Sequence, residues 1–251
     1  FYLNVLTFST EPGQLFTRLQ RLTEEAMNAA LQRIDDAERR WIRAIDTPSQ
    51  AEAIRPRSGT VLTYAELCAH LAQQFGQERL DTELEQAWES CPPHLDARER
   101  ALHMVRSMWK CSGQSGPAIV MYYSPPYYPH VAATPCALLD AINATAAAHP
   151  ELHLVVQEYY PYIADISYLR LDLGTDVTAL TANIPTWEAP DKPPRSGAYS
   201  LPLEVIQNVG MPVVNLGPYG RGVHQSGEAV LMSYSFGILP QLICEVIERL
   251  G

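Results

Sequence analysis

The segment GPYGRGVHQSGE, residues 217–228, places a histidine and a carboxylate at a spacing that suits metal chemistry. His224 follows an apolar run, MPVVNL, that is typical of a buried strand, and Glu228 comes four residues later. Sites in α/β sheets gather beyond the carboxyl ends of strands, and carboxylates often orient ligating histidines. This position and spacing make His224 a candidate metal ligand, with Glu228 as the carboxylate that would support it.

Two other interpretations of this segment stay open. A single histidine does not make a zinc site, which needs several protein ligands, so His224 is also compatible with an ordinary loop histidine. The glycines of GPYGRG follow a predicted strand, where backbone amides can bind an anion. Their spacing matches neither a P-loop nor a dinucleotide-binding fingerprint.

A second set of residues predicts a substrate pocket. The loop SPPYYPHV carries Tyr127, Tyr128 and His130 on a path that its prolines hold extended. Asp165 follows the predicted strand ELHLVVQEYY and belongs to the same pocket in this interpretation. The alternatives are a rigid crossover packed by its tyrosines and, for Asp165, a helix N-cap.

Several classes of protein are disfavoured by motif and composition. Neither GQSGP around Ser115 nor HQSGE around Ser226 has the G-x-S-x-G spacing of a nucleophile elbow. The formal net charge of -10 and the pI of about 5.1 argue against a nucleic-acid partner, which needs clustered Lys and Arg. No apolar run is long enough for a membrane helix, and the five dispersed cysteines favour reduced thiols in the cytoplasm.

The hydrophobic pattern predicts three segments. Residues 1–45 contain a strand, FYLNVLTFS, and a long amphipathic helix from Gln14 to about Ile45. Residues 46–112 are predicted to be helical, with capping boxes or caps at Thr63 and Asp96. From 113 to 251 the apolar runs PAIVMYY, ELHLVVQEYY and MPVVNLG alternate with helical patterns, which favours an α/β layer with parallel strands.

Four segments together resemble the RocB-type arginine-utilisation proteins of the zinc exopeptidase superfamily, which includes aminoacylases and succinyl-diaminopimelate desuccinylase. They are VLTYAELCAHL, AIVMYYSPPYYPHV, YYPYIADISYL and PVVNLGPYGRGVHQSGEAVLMSYSFGILPQL. The most specific part is the G-P-x-G-x-x-x-H-x-x-x-E segment. The resemblance implies that His224 corresponds to the last metal-ligand histidine of the family and Glu228 to the acidic residue after it.

The resemblance also implies a fold. Residues 113–251 would be the C-terminal half of a three-layer α/β/α zinc-hydrolase domain, and residues 46–112 a helical extension. Residues 1–45 would end a ferredoxin-like lid or dimerisation insert, through which a homodimer would form. The family's H-x-D, D-M-K-like and E-E motifs carry its other metal ligands and its general-base glutamate. They do not occur here in their context, and the chain begins in a strand-like run without Met, so we expect them upstream of Phe1.

The implied function is a cytoplasmic, zinc-dependent amidohydrolase or peptidase-like enzyme that acts on a small amino-acid-derived substrate, in arginine degradation. Zinc would polarise the substrate carbonyl and activate a water molecule. Without the general base, this chain alone would be inactive and would bind zinc weakly. A non-enzymatic binding or dimerisation module of α/β type is the alternative class.

Overall fold

The computed structural model describes residues 1–7, 9–45, 57–130, 134–158, 165–191, 193 and 195–251. Its α-helices are α1 (Pro12–Ile45), α2 (Tyr64–Phe75), α3 (Gln77–Glu89), α4 (Ala97–Cys111), α5 (Ala137–Ala148), α6 (Val177–Ala182), α7 (Leu203–Val209) and α8 (Leu239–Leu250). Its strands are β1 (Thr60–Thr63), β2 (Ala118–Met121), β3 (Gly220–Arg221) and β4 (Ala229–Val230). Short 3-10 helices span Pro150–Leu152 and Asp165–Tyr168, and a π-helical segment, Ser233–Ile238, leads into α8. None of the helices in these ranges combines the length and the apolar character needed to cross a bilayer.

The chain divides into two compact units. The first, here called the α/β unit, consists of Thr10–Tyr127 and Gly174–Pro202. The second, here called the hairpin unit, consists of Phe1–Ser9, Tyr128–Leu173 and Leu203–Gly251. The predicted segments 1–45, 46–112 and 113–251 concern the place of this chain in a larger fold, and they stay a prediction.

The α/β unit is organised around a short parallel sheet with helices packed on it. β1 pairs with β2 in parallel, from Thr60 opposite Ala118 to Thr63 opposite Met121. Side chains from the sheet and from α2, α3 and α4 form one core, whose buried members include Leu62, Leu67, Leu71, Leu80, Met104 and Met108. This core fixes the ends of β1 and β2 relative to the helices that follow them.

The start of α2 confirms the predicted capping box. The Thr63 hydroxyl accepts a hydrogen bond from the Glu66 amide at 3.1 Å, and the Glu66 carboxylate accepts one from the Thr63 amide at 2.7 Å. Each side chain thereby satisfies a donor that a helix start leaves unpaired. Because Thr63 is also the last residue of β1, this cap sets the point where the strand ends and the helix begins.

The long amphipathic helix predicted from Gln14 to Ile45 is confirmed as α1. It is anchored by Asp35, a buried carboxylate that accepts a hydrogen bond from the Arg57 amide at 2.9 Å and pairs with the Arg57 guanidinium. Glu38 accepts from the same guanidinium at 2.6 Å. The backbone and side-chain hydrogen bonds from Arg57 hold the pKa of Asp35 below its ordinary value, so the pair is charged at neutral pH.

In the hairpin unit, α5 packs against α8 through a small apolar cluster and an ionic contact. The buried members of the cluster are Ala141, Ile142 and Val246. Beyond the end of α5, the His149 Nε2 lies 2.9 Å from the Glu245 carboxylate of α8, and its Nδ1 lies 3.3 Å from Glu151. The hydrogen bond with Glu245, followed by that with Glu151, raises the pKa of His149 above its ordinary value.

We expect this contact to stabilise the hairpin unit more in mild acid than in mild base. The raised pKa means that the folded state binds the proton more tightly than the unfolded chain. The stabilisation is complete below the unfolded pKa of about 6.5 and is lost as the pH rises through the folded pKa. The measurement is urea unfolding of wild type and His149→Ala at about pH 5.5 and about pH 9, reported by amide exchange in α5 and α8.

The exposed His153, four residues along the chain, provides the matched control. His153→Ala leaves the hydrogen bond between His149 and Glu245 in place, so α5 and α8 should keep their greater protection at about pH 5.5. A stability difference between wild type and His149→Ala that stays constant or grows with pH would contradict the assignment.

The predicted strands are only partly present. PAIVMYY contains β2, as expected, but residues 1–7, 153–158 and 211–219 form no strand. The physical reason is that a short apolar run becomes a strand only when a neighbouring edge accepts its hydrogen bonds, and sequence periodicity does not reveal that edge. Conversely, β1 (Thr60–Thr63) lies within residues 46–112, and the prediction that this segment is helical is wrong there. The three-layer α/β/α arrangement and the ferredoxin-like insert stay predictions.

Candidate functional site

The segment that carries His224 and Glu228 is a tight antiparallel hairpin. β3 pairs with β4, with Gly220 opposite Val230 and Arg221 opposite Ala229. The loop between them is closed by hydrogen bonds from the Gln225 amide to the Gly222 carbonyl at 2.9 Å and from the Glu228 amide to the Gln225 carbonyl at 3.0 Å. The hairpin was not predicted, because strands of two residues leave no periodic pattern.

Gly222 is required where this loop begins. Its φ is +65°, and a Cβ at this position would lie 3.2 Å from the carbonyl oxygen of Gly227. A residue with a side chain would meet both the left-handed backbone and a close backbone neighbour. The glycine therefore lets the chain turn sharply two residues before His224.

His224 itself has a left-handed backbone, with a φ of 61°, and its side chain is exposed. The Glu228 carboxylate accepts a hydrogen bond from the His224 backbone amide at 3.2 Å. Glu228 thus supports His224 through the main chain, whereas the spacing suggested support of the ring. Within the described part of the chain, the imidazole makes no hydrogen bond, so both of its nitrogens are available to a ligand.

Large exposed apolar side chains flank this histidine in the sequence. Tyr219, Val223, Leu231 and Met232 are all exposed, and they precede, enter and leave the hairpin. Contiguous exposed apolar side chains commonly mark surfaces that are covered in the functional protein. The hairpin therefore presents an exposed histidine among exposed apolar residues.

Tyr127, one of the predicted pocket residues, is held in the α/β unit by a reciprocal contact. Its amide donates to the Tyr199 hydroxyl at 2.9 Å, and that hydroxyl donates to the Tyr127 carbonyl at 2.7 Å. The Tyr199 ring packs edge-on against Trp187. These contacts agree with the alternative in which the proline-rich loop is a rigid crossover packed by its tyrosines.

His130 and Tyr128 belong to the hairpin unit and are well packed there. The His130 Nε2 lies 3.1 Å from the Asp172 carboxylate, and its Nδ1 lies 3.1 Å from the Thr7 hydroxyl. The ring of Tyr128 stacks at a tilt on Tyr168, with 5.7 Å between centroids. His130 is thus a half-buried imidazole with a polar partner at each ring nitrogen.

The partners of His130 were missed by the sequence reasoning. Thr7 and Asp172 are each far from His130 along the chain, and no local motif connects the three positions. Asp165 is the first residue of the 3-10 helix Asp165–Tyr168. Its side chain lies outside the described structure, so its predicted role in the pocket or as an N-cap stays a prediction. The predicted pocket residues are therefore divided between the two units.

One string in the chain has the H-x-D spacing of a metal motif, His94-Leu95-Asp96. Here Asp96 is the N-cap of α4, and its carboxylate accepts from the amides of Arg98 and Glu99 at 2.8 and 2.9 Å. The backbone hydrogen bond from Glu99 and the side-chain bond from Arg98 lower the pKa of Asp96. Asp96 has a structural explanation as a cap, which agrees with the predicted helix start.

Two curated proteins from Bacillus subtilis are similar to the chain along nearly its whole length. The uncharacterized protein YqjN is 29% identical in an alignment of 253 positions, gaps included, which covers 98% of this chain and 43% of YqjN. Protein RocB is 24% identical in an alignment of 254 positions, gaps included, which covers 96% of this chain and 42% of RocB. The chain thus spans less than half of the length of either relative.

No family model and no solved structure matches the chain. The similarity to RocB agrees with the relationship indicated by the motifs around His224 and in the proline-rich loop. That the chain corresponds to the C-terminal portion of such a protein stays a prediction. At the level these identities support, the chain is a distant, RocB-like sequence.

Proposed function

We propose that this chain is part of a RocB-like, zinc-dependent amidohydrolase that acts on a small amino-acid-derived substrate, and that His224 is one of its metal ligands. The observation that carries the proposal is the presentation of His224. Its imidazole is exposed at the end of a hairpin whose loop is closed by backbone bonds and by Glu228. The distant similarity to RocB supports the RocB-like relationship on which the hydrolase class rests.

The chemistry of the chain's own residues follows from this geometry. A histidine ligates zinc through a ring nitrogen, and the exposed ring of His224 leaves that atom accessible to a metal. Glu228 and Gly222 fix the backbone from which the ring projects, so less conformational freedom is lost when the metal binds. When bound, zinc would polarise the amide carbonyl and activate the attacking water.

The remaining ligands and the general base come, in this proposal, from a part of the longer protein outside these 251 residues. The two relatives are more than twice as long as the matched region, which leaves ample sequence for them. The exposed apolar side chains around His224, including Tyr219, Val223 and Met232, support the same arrangement. Covering them would remove water from the site and strengthen its electrostatic interactions.

The test uses the longest polypeptide that the gene encodes. Its zinc content is measured by plasma mass spectrometry, and the release of free amine is measured on a panel of N-acyl amino acids and dipeptides. We expect stoichiometric zinc and amide cleavage that a chelator abolishes and added zinc restores. A protein that holds no zinc after zinc reconstitution, or that cleaves the panel equally well in chelator, would contradict the proposal.

The same preparation separates the alternative interpretations of the hairpin. Stabilisation by inorganic phosphate without any effect of zinc would favour an anion-binding loop at GPYGRG. The absence of both effects would favour a binding or dimerisation module. Tight, stoichiometric zinc in the 251-residue chain by itself would show that its ligand set is complete without further sequence.

A further inference from the structure

The direction of each backbone group in the parallel pair follows from a single hydrogen bond. The Thr60 amide donates to the Pro117 carbonyl at 3.0 Å, and Thr60 lies opposite Ala118. In a parallel ladder, a residue bonds to the two neighbours of its partner, so Ile119 and Met121 direct their amides and carbonyls toward β1. The backbone groups of Ala118 and Val120 therefore point to the outer edge of β2.

These outward groups have no backbone partner among the residues that the structure describes. On the opposite side, the alternation continues to Tyr123, whose amide donates to the Asn183 carbonyl at 2.8 Å, so the inner edge of β2 is paired beyond the end of the strand. Val120 is only partly exposed, and its side chain packs against the core. Backbone polar groups so close to a core are normally paired.

The two faces of the sheet also differ in how far they are buried. Leu62 and Val120, which lie opposite each other, both contribute to the core beneath the helices. On the other face, Val61 lies opposite Ile119, and Ile119 is 38% exposed. Parallel strands are normally covered on both faces, and a two-stranded sheet alone is marginally stable. Helix α1 covers part of this face, since Met27 and Leu31 lie beside Gly59, directly before β1, so the exposed side chain is Ile119, next to the open edge of β2. An open edge with an exposed apolar side chain beside it is a feature of an internal piece of a larger sheet.

We propose that the outer edge of β2 pairs with a further β-strand that belongs to the same polypeptide outside these 251 residues. Its apolar side chains would extend the face formed by Val61 and Ile119. The relatives supply the argument for this occupant, since the matched region is only 43% and 42% of their length. The edge sequence AIVM has no charge or proline of the kind that protects a solvent-exposed edge. The inference is independent of the metal assignment.

The test is amide hydrogen exchange by NMR on the longest polypeptide that the gene encodes, labelled with ¹⁵N-valine. Val120 is compared with Val155, an exposed valine outside the regular elements. We expect the Val120 amide to exchange at least tenfold more slowly than that of Val155, at any protein concentration. Equal exchange of the two amides would overturn the proposal. Protection that disappears on dilution would also overturn it, because it would assign the edge to a second copy of the chain.

A proline variant distinguishes strand pairing from simple burial. Ala118→Pro removes an outward amide and leaves the bonds between β1 and β2 in place. Proline is tolerated on an edge strand and disrupts an internal one. We therefore expect Ala118→Pro to lower the melting temperature of the longer polypeptide and to speed the exchange of Val120. Unchanged melting and unchanged exchange would show that no strand pairs there.

Discussion

Replacing His224 by asparagine in the longest polypeptide is expected to weaken zinc binding by about a hundredfold. Structural zinc sites bind with about 10–16 kcal/mol shared among four ligands, so the loss of one ligand costs roughly 3 kcal/mol. Asparagine is chosen because it tolerates the left-handed backbone that His224 adopts, with a φ of 61°. The loop should therefore keep its conformation while the ligating nitrogen is lost. Zinc affinity is measured by competition with a chromophoric chelator.

His153 offers a closely matched control for this experiment. Among the described residues, His153 and His224 are the two that are not glycine and have a positive φ, and both are exposed histidines of the hairpin unit. His153→Asn should leave zinc affinity unchanged, although it makes the same chemical substitution on the same kind of backbone. If both variants bind zinc as tightly as wild type, His224 is not a ligand, and the proposal that it binds the metal is contradicted.

The second large effect is expected at Leu67, on the buried side of α2. Leu67 has an exposed fraction of 0% and lies in the core beneath β1 and β2. Leu67→Ala removes buried methyl groups and leaves a cavity, which costs about 3 kcal/mol of unfolding free energy. The measurement is the urea dependence of amide exchange in α2, which reports on the α/β unit even when other parts of the protein unfold separately.

Leu22→Ala is the control for this prediction. Leu22 is also a leucine within a helix, α1, but its side chain is 45% exposed, so its removal leaves no buried cavity. Both variants replace leucine by alanine within a helix, so the change in helix propensity is the same. The difference between their unfolding free energies therefore reports the effect of burial. We expect Leu22→Ala to cost less than about 1 kcal/mol. Equal losses for the two variants would show that the core around Leu67 collapses into the space or is not packed as described.

The helices of this protein were predictable because their signals are local. The capping residues Thr63 and Asp96 each hydrogen-bond to amides within three positions, so the interaction is visible in a few letters of sequence. The apolar periodicity of α1 is likewise a property of the helix alone. Strands differ, because β1 exists through its pairing with β2, which comes more than fifty residues later. Neither segment contains the information that the other is its neighbour.

The candidate site shows the same difference between local contacts, which the sequence predicts, and long-range contacts, which it does not. His224 and Glu228 interact across four residues, and their contact was anticipated, although Glu228 bonds to the backbone and not to the ring. The environment of His130 was not anticipated, because Thr7 and Asp172 reach it from distant parts of the chain. Sequence spacing predicts a contact between side chains only when the same helix, strand or loop carries both of them.

The alternation of the two units along the chain has a consequence for synthesis. The ribosome delivers Thr10–Tyr127 early, directly after Phe1–Ser9, but the α/β unit also needs Gly174–Pro202. Asn183, in that later part, closes the ends of both strands through bonds to the amides of Ala65 and Tyr123. The intervening Tyr128–Leu173 belongs to the hairpin unit, which in turn waits for Leu203–Gly251. The α/β unit therefore has its full sequence only once Pro202 is made, and the hairpin unit only once Gly251 is made, so each must keep its early segments uncommitted while part of the other is synthesised.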